Sequence, residues 1–377
     1  ARVAEVSSRE LGVRVRLLRV LHIDLWLVMP LLVLSIGGLF VLYSASGQSD
    51  VMLNAQMRNI AVAMTVLLVT AQFRVETLRG VSPYIFVLAT LLLVAVAFFG
   101  VGAKGAQRWL SLGFIRFQPS EVMKVAMPWA LAWWLSKTAL PPDLRSLAVA
   151  FAMVAVPSGL ILQQPDLGTS LLVAISGLAA IYMAGIQWRY IFSMMALALI
   201  SIWPAWVFVF KDYQKQRVLT LFNPESDRLG AGWNIIQSKT AIGSGGWEGL
   251  GWTQGSQAQL DFLPEGHTDF IIAVLAEEFG FRGVLLLFLI YAVILGRGLV
   301  ITWRAQSSFA RMLGGALVAT FFFGLVVNLG MVSGLLPVVG VPLPMVSYGG
   351  TAMVSMMIAF GMLTAISTER RITRTMR

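Results

Sequence analysis

The sequence predicts an all-α integral membrane protein with about ten transmembrane helices and one long outer loop. Of its 377 residues, 58% are hydrophobic and only 12% are charged, whereas about 25% are charged in a typical soluble domain. Long uncharged runs recur along the whole chain, and a bilayer core about 30 Å thick needs about 20 apolar residues per helix. No internal repeat is evident, so residues 1–377 are predicted to form a single polytopic membrane domain.

The apolar runs place the helices in order along the chain. The first run follows an arginine-rich arm, predicted to be cytoplasmic over residues 1–23, and it is too long for the core of a signal peptide. The predicted spans are 24–46, 57–73, 82–101, 120–137, 146–163, 167–185, 189–210, 269–302, 309–333 and 349–368.

The distribution of Lys and Arg predicts the orientation of these spans. With the amino terminus inside, seventeen basic residues lie in inner segments, and five lie in the short outer loops. The long loop after the seventh span is left out, because long loops escape the positive-inside rule. Both termini are therefore predicted to be cytoplasmic.

Composition excludes several other classes of protein. The net charge of +10 is spread among connecting segments rather than gathered on one face, so no nucleic-acid partner is expected. The chain has no cysteine, which excludes a disulfide, a thiol nucleophile and a thiolate metal site. His22 and His267 are the only histidines, so a histidine-rich metal site is excluded too.

The long outer loop, residues 211–268, is predicted to carry the chemistry, because loops of this length in compact proteins are more often functional than accidental. Its middle, Leu229 to Ile242, has the pattern of a short helix with Trp233 on one side. The glycine-rich stretch Gly243 to Gly255 is expected to lie in the membrane interface. A flexible loop without a role is the alternative.

Acidic residues gather where this loop enters the eighth span. The segment Phe262 to Phe270 contains Glu265, His267 and Asp269. Thr268 or Asp269 could simply cap the helix, because a side-chain oxygen accepts an unpaired amide there and an anion suits the positive end of the helix dipole. The other interpretation is a reactive carboxylate at the outer rim of the membrane.

Two further acids follow about two turns along the same span. Glu277 and Glu278 lie about 12 Å from Asp269 at 1.5 Å per residue, and Arg282 comes one turn later. Ionisable residues within a span are functional candidates by default. A buried ion pair between Glu278 and Arg282, at positions i and i+4, is the simpler interpretation and the favoured one.

Basic residues also occur on the outer side, against the general trend. In Gln118 to Lys124, which opens the fourth span, Ser120 is predicted to be the N-cap and Glu121 to face Lys124. Together with Arg108 and Arg116, Lys124 would suit an anionic phosphate group. Contact with lipid headgroups explains these cations equally well.

Two segments rich in helix breakers complete the outer side. Gln163 to Thr169 makes a tight turn, in which Asp166 is either a turn former or a second acid facing the same cavity. Leu335 to Gly350 is apolar but contains many Pro and Gly residues, so we expect an irregular or re-entrant segment. Such backbone persists at membrane depth only where protein or a water-filled cavity satisfies it.

Four of these motifs together resemble the SEDS family of shape, elongation, division and sporulation proteins, across nearly the whole chain. Within the family, Val338 to Pro342 looks like the RodA-like elongation branch, because division members usually have a Lys-Gly pair in this stretch. Gly266 departs from the larger residue expected before the histidine. The matching motifs are Pro264–Phe270, Gln164–Thr169, Gln118–Glu121 and Pro344–Gly350.

The resemblance implies a peptidoglycan glycosyltransferase that polymerises lipid II during cell elongation and works on the outer face of the membrane. It also implies a class B penicillin-binding protein as transpeptidase partner, within a larger elongation complex. Asp269 would be the essential acid, acting as general base in one inverting displacement. No cofactor is certain, although a divalent cation could share the pyrophosphate. The candidates for binding substrate are Arg108, Trp109, Glu121, Lys124, Asp166, Arg217, Lys239 and His267.

The main rival function is a transporter that flips lipid II or another polyprenyl lipid. A transporter places its key polar groups near the midplane of the membrane, whereas the strongest motif here lies at the outer rim. A scaffold without activity would not need Asp269 and the outer cations together.

Overall fold

The computed structural model describes residues 22–103, 106–111, 113, 116–227, 230–260 and 262–369. Most of the predicted basic arm and Lys104 fall outside these residues. The chain order is α1 (Leu25–Ala45), α2 (Asp50–Ala71), α3 (Val75–Phe99), β1 (Val101–Ala103), β2 (Ala106–Ser111), β3 (Arg116–Phe117), α4 (Pro119–Leu135), α5 (Leu144–Gln163), α6 (Leu167–Met183), α7 (Trp188–Pro204), α8 (Asp212–Phe222), α9 (Ala231–Gly245), α10 (Ser256–Gln259), α11 (Ile271–Arg304), α12 (Ser308–Val332) and α13 (Gly350–Thr368).

Each of the ten predicted spans corresponds to a long helix in the described part of the chain, which confirms the fold class. Eight of these helices are long and apolar enough to cross a membrane, and α4 and α6 have 17 residues each. A π-helical turn, Ala205–Val209, extends α7. Helices α2 and α3 begin at Asp50 and Val75 rather than at the predicted 57 and 82. Both helices begin before their apolar runs, because polar residues in a first turn do not interrupt a helix.

Helices α4 and α12 form the centre of the bundle. Fourteen of the 17 residues of α4 are buried, including its charged Glu121 and Lys124. Helix α7, in contrast, contributes no fully buried residue, so most of its surface is available to lipid, although Tyr190 packs partly against the core. A helix surrounded by protein can carry charge at membrane depth, because its neighbours supply the partners that lipid cannot.

A small antiparallel sheet, which the sequence did not predict, forms the connection between α3 and α4. Its strands pair in the order β1, β2, β3. Trp109 of β2 lies opposite Val101, and Leu110 lies opposite Phe117. Strands of two to six residues leave no alternation long enough to recognise. The sheet positions Arg108 and Trp109 above the membrane helices.

The long loop is ordered around two helices. Helix α9 confirms the predicted helix from Ala231 to Ile242 and runs on to Gly245, whereas Leu229, where the prediction began, lies outside the described residues. Ile235, Ser238 and Ala241 of α9 are buried, and the Ser238 hydroxyl donates to the carbonyl of Val332 at 2.9 Å. This face anchors the loop to the end of α12.

Helix α11 is broken at Gly280, which has φ +64° and ψ −166°. The glycine-rich part of the loop fills the break. The amides of Leu250 and Gly251 donate to the carbonyls of Glu277 and Glu278, at 2.9 and 3.0 Å. In return, the amide of Phe281 donates to Gly246 at 2.9 Å. The loop therefore completes the backbone hydrogen bonding of a membrane helix.

This break makes the predicted ion pair between Glu278 and Arg282 wrong. Positions i and i+4 face each other only in a continuous helix, and Gly280 interrupts it. Arg282 instead pairs with Glu248 of the loop at 3.2 Å, on the surface. Glu278 is buried and accepts a short hydrogen bond from the hydroxyl of Ser44 in α1.

The segment between α12 and α13 has no helix over residues 335–349, as its Pro and Gly content predicts. Several of its residues are fully enclosed nonetheless, among them Val341, Leu343 and Val346. Gly38 of α1 packs on its backbone, with no room for a larger side chain beside Val346. The irregular backbone is thus surrounded by protein, which the membrane environment requires.

Candidate functional site

The site is built around the three residues that precede α11, His267, Thr268 and Asp269. Their carbonyls lie outside the helix, so the helix cannot supply them with donors. The amide of Tyr348 donates to His267 at 3.1 Å, the Ser347 hydroxyl donates to Thr268, and the Asn328 side chain donates to Asp269 at 2.7 Å. Each consecutive carbonyl therefore has one donor, from α12 or from the segment between α12 and α13.

The predicted cap at the start of α11 is wrong. The N-cap residue is Phe270, so neither Thr268 nor Asp269 occupies that position. The Thr268 hydroxyl donates instead to the Glu265 carboxylate at 2.8 Å. The half-buried Asp269 thus lies just before the helix, in backbone held by tertiary contacts.

Two glycines allow other segments to approach Asp269. Gly340 has φ +75°, and a Cβ atom placed on it would lie 3.5 Å from a carboxylate oxygen of Asp269. A Cβ atom on Gly168 would lie 2.6 Å from the carbonyl oxygen of Val339 and 2.8 Å from the Val341 side chain. The irregular segment therefore lies beside the Asp269 carboxylate at Gly340 and against the first turn of α6 at Gly168.

Asp166 caps the N-terminus of α6, which agrees with its predicted role in the turn, and its predicted place beside a cavity stays a prediction. One of its oxygens caps α6 by accepting the amide of Thr169 at 3.2 Å. The other accepts from the Gln118 side chain at 2.8 Å, which joins the turn to the start of α4. Arg108 donates to the carbonyls of Gln164 and Pro165 in the same turn. Asp166 is 2% exposed, so its charge is balanced within the protein.

Arg217 of α8 brings the long loop into this group. Burial lowers the pKa of its guanidinium, and the positive charge of Arg108 lowers that pKa further. Tyr213, Asp166 and Asp269 act in the opposite direction and raise it. Its buried Nη1 has no hydrogen-bond acceptor among the described residues. The charges of Arg108, Asp166 and Asp269 therefore all act on Arg217. The Nη1 group of Arg217 could donate a hydrogen bond to a bound anion.

Glu121 and Lys124 form the buried ion pair that their spacing predicts. The Lys124 ammonium lies 2.6 Å from the Glu121 carboxylate, and the side chains are 8% and 6% exposed. Ser120 is not the N-cap, because α4 begins one residue earlier, with Pro119 at its first position and Gln118 as cap. Proline favours that first position, where its missing amide proton costs no hydrogen bond.

Lys124 also lines a cavity of about 30 Å³ together with residues of the irregular segment. This volume holds one or two water molecules, not a sugar. The cavity reaches Val341, Ser347 and Tyr348, the same segment that holds Asp269 in place. It therefore connects the start of α4 with the segment whose donors bind the carbonyls of His267 and Thr268.

The remaining predicted residues lie at different distances from this centre. His267 is half-buried, with its ring 6.5 Å from that of Tyr348. Trp109 is half-buried in β2, next to Arg108. Lys239 is exposed on α9 and lies against Gly334 at the end of α12. The structure gives Lys239 no contact with the group around Asp269 among the residues it describes.

Three polar residues of the site are not among the predicted ones. Asn328 is fully buried in α12. Gln56 of α2 donates to the carbonyl of Ser347 at 3.2 Å, and Gln118 binds Asp166. None is ionisable, so a search for charges within spans passes over them. A single amide side chain in an apolar helix is the signal that identifies Asn328.

A metal site built only from protein is not evident in the described part of the chain, which contains no group of three or more His, Cys, Asp or Glu side chains placed to hold an ion.

Comparison with known proteins gives a consistent result. A family model described as cell cycle protein, FtsW, RodA and SpoVE, matches residues 17–372. The chain is 47% identical over 350 residues to the peptidoglycan glycosyltransferase MrdB of Escherichia coli K12, covering 93% of this chain and 95% of that protein. It is 29% identical to the peptidoglycan glycosyltransferase RodA of Treponema pallidum, with coverage of 92% and 98%.

Solved structures agree with these relatives. A chain from work titled "Structural coordination of polymerization and crosslinking by a peptidoglycan synthase complex" has a TM-score of 0.80 at 28% identity and covers 91% of this chain and 97% of its own. The rod shape determining protein RodA of Thermus thermophilus has a TM-score of 0.69 at 26% identity, with coverage of 91% and 96%. The resemblance seen in the sequence is confirmed: the chain belongs to the FtsW, RodA and SpoVE family of cell cycle proteins.

Proposed function

We propose that this protein is a peptidoglycan glycosyltransferase that polymerises lipid II into β-1,4 glycan strands during cell elongation and cell-shape maintenance. Relatives over almost the full length bear the name of that enzyme. The observation that carries the proposal is the convergence on Asp269. The irregular segment lies beside this carboxylate at Gly340 and packs against α6 at Gly168, and the charge of Asp269 acts on Arg217 of the long loop.

The proposed reaction is a single inverting displacement. Lipid II carries its sugar on pyrophosphate with α linkage and the polymer is β-linked, so one displacement inverts the centre without a covalent intermediate. Asp269 takes the proton from the attacking 4-hydroxyl group as the new glycosidic bond forms. The bond from the sugar to the pyrophosphate breaks at the same time, and the lipid diphosphate leaves.

Arg217 and Arg108 are the cations best placed to receive the departing diphosphate. Guanidinium groups match phosphate oxygens with pairs of hydrogen bonds. The unused Nη1 of Arg217 is buried near Asp269, where a charge acts more strongly than in water. Lys124 adds positive charge through the connecting cavity. Lys239 is a peripheral contact in this arrangement, because it lies at Gly334.

A divalent cation would find few protein ligands here. Mg²⁺ usually binds through one or two carboxylates together with substrate phosphates and water. Asp166 and Asp269 are the carboxylates whose charges act on Arg217. Asp166 is 2% exposed and its two oxygens accept from Thr169 and Gln118, so Asp269 is the carboxylate that would hold such an ion together with the substrate diphosphate.

We propose that both termini are cytoplasmic and that Asp269 lies on the outer face of the bacterial cytoplasmic membrane. The excess of Lys and Arg in the inner segments supports this orientation. A class B penicillin-binding protein is the proposed partner, which crosslinks the strand that this protein makes. This proposal is supported by a solved chain of similar structure, which comes from a peptidoglycan synthase complex that coordinates polymerisation with crosslinking.

The rival function, transport of a polyprenyl lipid, is not favoured. Transporters bind their substrate near the midplane, between discontinuous helices. Here the polar groups gather at the starts of α4, α6 and α11, which share one side of the bundle. The break in α11 is filled by backbone of the protein's own loop, not by a cavity for substrate.

The test is polymerisation of purified lipid II by the wild-type protein and by Asp269→Asn, each with and without the partner. The substitution preserves shape and removes basicity. We expect at least a 100-fold loss of product, because general base catalysis contributes about 10²- to 10⁴-fold. Near-normal product from a folded Asp269→Asn protein would refute the assignment. A lipid II transport assay on the same preparation separates the rival function.

A further inference from the structure

Asn328 makes an unusual pair of contacts in the middle of the site. Its side chain is fully buried in α12. The Nδ2 group donates to the carbonyl oxygen of Asp269 at 2.7 Å and to that of Val341 at 2.7 Å. An amide nitrogen carries two protons, so both are used. One side chain thus joins the backbone of Asp269 to the backbone of the irregular segment.

The two carbonyls belong to the two segments that meet beside the Asp269 carboxylate. Val341 follows Gly340, the residue without a side chain beside that carboxylate. Both carbonyls belong to non-helical backbone, so neither has a helical donor. An unpaired carbonyl at this depth is costly because no water replaces the missing donor. The amide of Asn328 therefore fixes the separation between Asp269 and Gly340.

Neighbouring contacts hold the flanking backbone but do not duplicate this one. The Ser347 hydroxyl donates to Thr268 and accepts from the amide of Leu343 at 2.8 Å. The amide of Tyr348 holds His267. Of the three donors, only Asn328 contacts the carbonyl of Asp269 itself, and its helix α12 lies at the centre of the bundle.

We propose that Asn328 is a positioning residue for Asp269, which sets the distance of its carboxylate from the acceptor hydroxyl. This inference rests on the proposed role of Asp269 as general base. Asn328 contacts the Asp269 backbone and not the reacting atoms. Its loss should therefore slow the chemical step and leave lipid II binding almost unchanged, because a misplacement of about 1 Å can cost about 100-fold in rate.

The experiment measures kcat and KM for lipid II polymerisation by Asn328→Leu in complex with the partner. Leucine keeps the shape of the side chain and removes both donors. The matched control is Thr364→Val, because Thr364 is also fully buried but bonds only within its own helix, to Phe360 at 2.9 Å. We expect kcat to fall about 10- to 100-fold for Asn328→Leu, with KM within about threefold of the control.

A kcat within about threefold of the control would overturn the inference. A raised KM with unchanged kcat would overturn it as well, by assigning Asn328 to substrate binding. If Asn328→Leu does not fold, as judged by thermal unfolding, Asn328→Gln replaces it. This variant keeps both donors on an arm one methylene longer, and a parental kcat from it would refute the positioning role.

Asp269→Asn, measured in parallel, separates the two proposals. An inactive Asp269→Asn beside an Asn328→Leu of parental activity would defeat only the positioning role. An active Asp269→Asn would refute the proposed base and, with it, the inference about Asn328.

Discussion

Replacing Lys124 by Met tests whether its charge serves the fold, the reaction or both. The ammonium lies 2.6 Å from Glu121, and both side chains are almost fully buried. The Glu121 oxygen concerned has no hydrogen bond from any other described group, so nothing replaces the lost charge. Removing one member of a buried ion pair costs about 3–5 kcal/mol. We expect a loss of that size in the free energy of unfolding of Lys124→Met.

The double variant Glu121→Gln with Lys124→Met distinguishes the two roles. It removes both charges, so no uncompensated charge stays buried, and most of the lost stability should return. If Lys124 also acts on the diphosphate, turnover stays low in this stable protein. Losing a hydrogen bond to a charged group costs about 1.5–3 kcal/mol, which corresponds to roughly 10- to 150-fold slower turnover.

The assay measures turnover at saturating lipid II with the partner present, after thermal unfolding has established the stability of each variant. Turnover of the stable double variant within about threefold of the parent would restrict Lys124 to a structural ion pair. That result would remove Lys124 from the site and refute its proposed part in the reaction.

Three further results are expected. Gly168→Ala should lower turnover at least about 10-fold, because its Cβ would come 2.6 Å from the Val339 carbonyl and displace the segment beside Asp269; Gly159→Ala, with open space around it, is the control, and equal activities would contradict the close approach. Gly280→Ala should lower the unfolding temperature sharply, since its φ is +64° and its Cβ would lie 2.4 Å from the Gly249 amide. Gly296→Ala is the control, because Gly296 lies in a helix with open space around it, and it should leave the unfolding temperature equal or higher. Equal losses of unfolding temperature in the two variants would argue against backbone strain at Gly280. A β-lactam that acylates the partner should not stop glycan synthesis, because this chain has no Ser-x-x-Lys motif; loss of polymer in the purified complex would contradict a separate site.

The helices could be predicted from the sequence because they depend on a local pattern, whereas Asp269 was singled out through the resemblance to a family motif and its role stays a prediction. An apolar run of about 20 residues is stable in a bilayer as a transmembrane helix, and each of the ten predicted runs corresponds to a helix. The pairing of Glu121 with Lys124 followed from helical spacing alone. Asp166 was identified at its turn because Pro165 and Gly168 break the helix around it.

The features that the sequence did not predict depend on contacts between segments that are distant along the chain. Gly280 looks like an ordinary glycine within a helical run, and only the approach of the loop at Gly249 explains its conformation. Arg282 was therefore assigned to Glu278 instead of Glu248. Asn328 is uncharged, and its two acceptors are backbone carbonyls 59 and 13 residues away. Every residue has a backbone carbonyl, so the sequence does not show which carbonyl a side chain will contact.

The loop backbone that fills the break in α11 has a consequence for how the protein is assembled in the membrane. A membrane helix ordinarily satisfies its own amides and carbonyls, and it can therefore insert as an independent unit before it packs. Helix α11 cannot finish this step alone, because Glu277, Glu278 and Phe281 depend on loop residues for their partners. The part of α11 around Gly280 and the glycine-rich stretch must become ordered in one cooperative event. Truncating the loop would thus be a defect of membrane insertion before it became a defect of catalysis.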